Sequence, residues 1–204
     1  MELGPELFEL LNSKQWVGNR VPVVYGAPGL TSAQFASIEA QLGFRVPDDF
    51  AYLFGNLQDP GGVFFPWLQF DKQKYDEKIE WVFRGLTFDI ERNYLWLDRW
   101  GNRPDTLSAA INVARQDFET WPRLLPIYGH RFLAAQPCTD GNPVLSIMGA
   151  DIIYYGADLP HYLLNEFVKQ EYGLHVRAQK IRRIEVWGDF AEGEVRLHIP
   201  RPTT

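Results

Sequence analysis

Residues 124–155 read LLPIYGHRFLAAQPCTDGNPVLSIMGADIIYY, and this stretch decides the fold. It divides into four short β-prone runs: Leu124–Tyr128, Arg131–Ala135, Val144–Met148 and Asp151–Tyr155. The separators are Gly129-His130, Asp140-Gly141-Asn142-Pro143 and Gly149-Ala150, all residues that suit turns. Connections this short predict antiparallel neighbours rather than βαβ units.

On the N-terminal side the pattern is helical. Leu3, Leu7, Leu10 and Leu11 predict an amphipathic helix over Pro5–Lys14. Thr31-Ser32-Ala33-Gln34 is a capping box, followed by the apolar face Phe35, Ile38 and Leu42 and a stop at Gly43. Pro47 opens another helix, with Asp48 and Asp49 in its positive first turn. Val63–Phe70 is β-prone, and Pro66 restricts it to an edge or an irregularity. Asp71 caps a predicted helix that Gly85 ends, Tyr94–Leu97 is β-prone, and Asp105 or Thr106 caps a helix through Phe118. On the C-terminal side, Asp158 caps a last helix ending at Gly173. Ile181–Trp187 and Glu194–Ile199 then read as a strand hairpin. The expected fold is α+β: a mostly antiparallel sheet of five to six strands, with helices packed on one side and around it. One domain spans 1–204, with an N-terminal helical extension at 1–30 and a C-terminal strand extension at 174–204.

The chain has 204 residues, a net charge of −6, 46% hydrophobic and 23% charged residues, a profile of globular rather than disordered chains. Its acidity argues against a dedicated nucleic-acid binder. A single cysteine, Cys138, permits no intrachain disulfide. The acidic start Met1–Glu6 does not suit a signal peptide, and no run of about 18 apolar residues marks a membrane span. The expectation is a cytoplasmic protein with no membrane contact.

The stretch IEAQLGFRVPDDF, residues 38–50, resembles the opening motif of the SUKH superfamily. That motif has an acidic residue, a leucine-glycine pair, an aliphatic-proline pair, then an acidic residue and an aromatic. Gly61-Gly62 falls at the family's Asn-Gly-Gly turn, with Asp59-Pro60 standing where the family has Asn. Trp96–Pro104, Pro126–Arg131 and Asp151–Gly156 are similar to a Smi/Knr-type bacterial subgroup, so the resemblance covers residues 31–168. It implies an α+β fold and a binding role without catalytic residues or cofactor. Many bacterial members are immunity proteins that neutralise a toxin, which is the expectation for this chain; fungal relatives are regulators linked to cell-wall synthesis and signalling, which makes a Smi/Knr-type regulatory or scaffold protein the alternative.

The residues themselves mark little chemistry. His130, His161, His175 and His198 form no metal pattern, and no phosphate loop or nucleophile elbow is present. His130, paired with Asp140 or Asp151, is the one candidate base for a small hydrolase; the plainer reading is a turn histidine. Trp67 and Trp100 are surface candidates, while Trp16, Trp81, Trp96 and Trp121 read as core or its rim. No Lys or Arg occurs between Arg131 and Lys169, whereas Arg177, Lys180, Arg182 and Arg183 cluster, as expected of a guarded strand edge. An acidic face would steer a basic partner, and nuclease toxins are commonly basic. The expected partner is therefore a toxin domain, with no direct nucleic-acid contact. The candidate contact residues are Asp48, Asp49, Trp67, Asp71, Tyr128, His130 and Asp158, chosen for charge, aromaticity and predicted loop or helix-start position.

Overall fold

The computed structural model describes residues 2–13, 23–168 and 180–195. The stretch 124–155 folds as read: β3 (Leu124–Tyr128), β4 (Arg131–Ala134), β5 (Val144–Met148) and β6 (Asp151–Gly156) form one antiparallel meander in sequence order. The expected five to six strands are not reached. The main sheet has four, and a separate two-stranded ribbon pairs β1 (Val24–Tyr25) with β2 (Leu57–Gln58).

The meander stops at β3 because its outward carbonyls are already occupied. Tyr75 Oη donates to Leu124 O (3.0 Å), Trp67 Nε1 to Pro126 O (2.7 Å) and Phe65 N to Ile127 O (2.7 Å). The β-prone run Val63–Phe70 thus lies against β3 without joining it. Pro66 has no amide for a ladder, and Trp67–Gln69 closes into a 3-10 turn. Asp59 organises the preceding turn, its carboxylate accepting from Val63 N (2.8 Å) and Phe64 N (2.7 Å).

Alternation along the strands separates two cores. Leu125, Ile127, Leu133 and Val144 face one, with α1 (Pro5–Ser13), α3 (Asp48–Gly55) and α6 (Leu159–Leu163). Leu124, Phe132, Ala134, Leu145, Ile147 and Ile152 face the other, with α5 (Leu107–Phe118), α7 (Trp187–Ala191) and most of α4 (Lys72–Arg92). Helices therefore cover both faces of the sheet, not one, because both faces carry apolar side chains. α2 (Ser32–Leu42) carries the capping box as read, with Gly43 in the left-handed conformation at its end.

Three helix and strand expectations change. Helix α4 runs through Gly85 to Arg92, because Gly85 is a close-approach residue: a Cβ there would lie 2.9 Å from the Gly149 backbone. Tyr94–Leu97 forms no strand and leads into a 3-10 turn at Asp98–Trp100. The strand expected at Ile181–Trp187 is absent, and α7 occupies the expected turn. Trp187 is 1% exposed and its Nε1 donates to Pro122 O (2.8 Å), so the segment docks by its aromatic ring rather than by a ladder. Val186 takes φ 64° and ψ −55° in a three-residue turn closed by Trp187 N to Glu185 O. For a β-branched residue that backbone costs about 1–3 kcal/mol, which the buried Ile184, Val186 and Trp187 offset. The second strand of the hairpin lies, from residue 196 on, outside the described residues, as do Trp16, Arg177 and the helix end at Gly173.

Within the basic cluster, Arg182 and Arg183 do not guard a strand edge. Arg183 pairs with Asp189 (2.7 Å), Glu192 and Glu194, and Arg182 Nη1 donates to Asp140 O and Asn142 Oδ1 at 2.7 Å each. Among the described residues no helix is long and apolar enough to cross a membrane.

Candidate acidic cleft

Three elements bring carboxylates to one place. Helix α3 starts with Asp48 and Asp49 after Pro47, whose fixed φ suits a helix start. Asp158 caps α6, its Oδ1 accepting from His161 N (2.8 Å). Asp140 comes from the turn between β4 and β5. That turn is pinned by Asn142, whose Nδ2 donates to Ala134 O (2.8 Å) and Pro137 O (2.7 Å). Together with Glu2, Leu3, Tyr52, Gly141 and Pro160 these residues line a cleft of about 430 Å³.

The floor is a reciprocal clasp. Asp49 N donates to Asp140 Oδ1 (2.7 Å), and Gly141 N donates to Asp49 Oδ2 (3.1 Å). The Asp49 carboxylate also accepts from Phe50 N (2.8 Å). Burial pushes the Asp49 carboxyl up to about 6, and the neighbouring Asp140 and Asp158 charges push the same way, against two backbone hydrogen bonds that lower it. Asp49 therefore sits at the edge of ionisation near neutral pH, while Asp48 is exposed at the rim. Among the described residues no three His, Cys, Asp or Glu side chains are arranged to hold a metal ion. The cleft offers acceptors and negative potential to a cationic group.

Of the seven candidate contact residues, Asp48, Asp49 and Asp158 converge here. Trp67 does not: it is 1% exposed, the centre of a ring cluster with Phe50, Phe54, Phe70 and Tyr75. The expectation of a surface Trp67 fails because its N–H is used inside, on Pro126 O. Trp100 is likewise buried, its Nε1 donating to Asp117 Oδ2 (2.8 Å). Asp71 is the cap of α4, accepting from Gln73 N (2.8 Å) and Lys74 N (3.4 Å). Tyr128 and His130 stand at the β3–β4 turn, where the half-buried Tyr128 ring packs 5.9 Å from Phe167. Among the described residues no hydrogen bond joins His130 to Asp140 or Asp151, and the charges acting on the imidazole are Arg131 and Lys78. The sequence offers Asp140 or Asp151 as a partner for His130, and it carries no signal for Tyr52. The Asp140-Gly141-Asn142-Pro143 turn signal was visible, but its docking on α3 spans 91 residues of chain.

No protein-family model matches this chain, and no curated protein or solved structure matches it.

Proposed function

We propose that this chain is a non-enzymatic binding domain that presents its acidic cleft to a basic protein partner, and that the partner is a bacterial toxin domain which it neutralises by occlusion. The observation that carries the reading is the convergence of Asp48, Asp49, Asp140 and Asp158 from three separate elements on one cleft. Carboxylates brought together repel one another, so their grouping costs stability unless a cation shares the site. The motif at residues 38–50, which resembles the SUKH superfamily, supports the immunity role, and Asp48 and Asp49 of the cleft lie within that motif. The test is co-expression with the toxin domain encoded beside this gene, together with direct binding at several salt concentrations. Survival of the host and binding that weakens as salt rises are expected. Asp48→Lys, at an exposed position, is expected to slow association at least about tenfold at low salt. Failure of the wild type both to rescue and to bind would overturn the reading, as would Asp48→Lys binding at the wild-type rate.

A further inference from the structure

A second charged site lies at the β3–β4 hairpin, and it has the opposite sign. Lys78, on α4, reaches across to the sheet: its Nζ stands 4.7 Å from the Trp81 ring centre and 5.6 Å from that of Phe132 on β4. That fixes the ammonium close to the hairpin whose turn carries His130. Arg131, next in the chain, is fully committed. Its Nε donates to Glu166 (3.3 Å), its Nη1 to Ser146 Oγ (2.8 Å), and its guanidinium covers the Tyr155 ring at 3.7 Å. Lys78 and His130 are not committed: among the described residues neither side chain makes an ion pair or a hydrogen bond.

An ammonium and a titratable imidazole thus meet at this corner, and among the described residues neither has a carboxylate partner. The chain carries 26 acidic residues against 20 Lys and Arg, so carboxylates are in excess, yet among the described residues none pairs with Lys78 or His130. Charged groups leaving water are normally paired. Both groups are half-buried. Burial holds the Lys78 amine below its ordinary range. His130 is held low by burial first, then by Arg131 and Lys78. Arg131 is balanced by Glu166, so the charge left unbalanced beside the imidazole is the Lys78 ammonium, and the ammonium and ring N–H donors are unspent.

We propose that the corner formed by Lys78 and His130 beside Trp81 is a binding site for a phosphate group. A dianion would neutralise the ammonium and a protonated imidazole together, and would relieve the repulsion between them. The inference is independent of the acidic cleft, and either can fail without the other.

Linkage gives the test. A phosphate that prefers protonated His130 must raise the pH midpoint of that imidazole. The side-chain resonance of His130 in the full chain, assigned by its loss in His130→Gln, is titrated in about 20 mM phosphate and in chloride of equal ionic strength, a phosphate level that occupies a millimolar site almost fully. The expected result is a midpoint about half a pH unit or more higher in phosphate, with acetate giving a smaller rise. Lys78→Met keeps the apolar stem against Trp81 and Phe132. It is expected to raise the midpoint in chloride, by removing a like charge, and to abolish the phosphate-dependent rise. Equal midpoints in phosphate and chloride would overturn the proposal without recourse to any variant, and so would a phosphate shift that survives Lys78→Met.

Discussion

Replacing Gly85 by alanine tests how α4 meets the sheet. Gly85 lies inside a 21-residue helix, where alanine is favoured over glycine by about 1 kcal/mol from propensity alone. A freely exposed position would therefore gain stability. At Gly85 the added Cβ would sit 2.9 Å from both Cα and N of Gly149, well inside ordinary contact, and the obstacle is backbone. That backbone cannot retreat cheaply. Gly149 turns at φ 62°, the next amide, Ala150 N, donates to Asp89 Oδ2 (2.6 Å), and a Cβ on Gly149 would lie 2.3 Å from the same oxygen. The helix must lift instead, loosening Val82, Leu86 and Ile90, each no more than 1% exposed. Overpacking costs typically about 1–3 kcal/mol, and a backbone obstacle inside 3 Å puts this site in the upper part, about 2–3 kcal/mol, so the balance is a net loss of roughly 1–2 kcal/mol after the propensity gain. Urea unfolding followed by tryptophan fluorescence measures it, with exposed Arg84→Ala as a control expected within about 0.5 kcal/mol of wild type. A Gly85→Ala protein as stable as wild type, or more so, would refute the close approach as the reason for glycine.

Asp49 predicts an inverted pH dependence. Its folded carboxyl lies near 6 against an ordinary 3.8, so the folded state holds the extra proton, and the contribution of this group is full below about pH 4 and lost as pH rises through 6. The shift corresponds to an upper bound of about 3 kcal/mol, read as the difference in unfolding free energy between wild type and Asp49→Asn across pH 4.5–7; a flat difference would remove the strained carboxylate from the account. Trp67→Phe keeps an aromatic ring but leaves Pro126 O without its donor inside the protein. A loss of about 1–3 kcal/mol is expected in the same urea assay, and a change below about 0.5 kcal/mol would show that this carbonyl finds another partner.

Local chemistry was legible in the sequence, and contacts distant along the chain were not. The four strands of 124–155 and the caps at Thr31, Asp71, Thr106 and Asp158 follow from residues within a few positions of each other. Gly85 misled because glycine marks both a helix end and a tight crossing, and the choice depends on Gly149, 64 residues away. The tail misled similarly. Ile184 and Val186 alternate with polar neighbours as in a strand, but Pro122 O, the Trp121 ring and the Tyr154 hydroxyl meet a helix that starts at Trp187 instead. In the cleft, Asp48, Asp49 and Asp158 were selected for helix-start chemistry that also serves capping, as Asp71 shows. What sets them apart from Asp71 is Asp140, which only the folded chain brings to them.

The tryptophans decide what kind of binding surface remains. Five of them keep their N–H inside the protein: Trp67 on Pro126 O, Trp96 on Gly101 O, Trp100 and Trp121 on Asp117 Oδ2, and Trp187 on Pro122 O. A ring buried with its polar tip satisfied has nothing left to offer a partner, so these residues serve the two cores and cannot be interface anchors. Trp81 is half-buried, with its face covered by Lys78. Among the described residues the cleft has no tryptophan, and Tyr52, 40% exposed, is its aromatic contribution. Binding there must draw on charge more than on buried aromatic area. Charge at an exposed rim acts mainly on the rate of encounter and its salt dependence. A partner held this way should associate quickly at low salt, lose speed steeply as salt rises, and dissociate at a rate that responds weakly to Asp48→Lys. A partner anchored by aromatic burial would show the reverse.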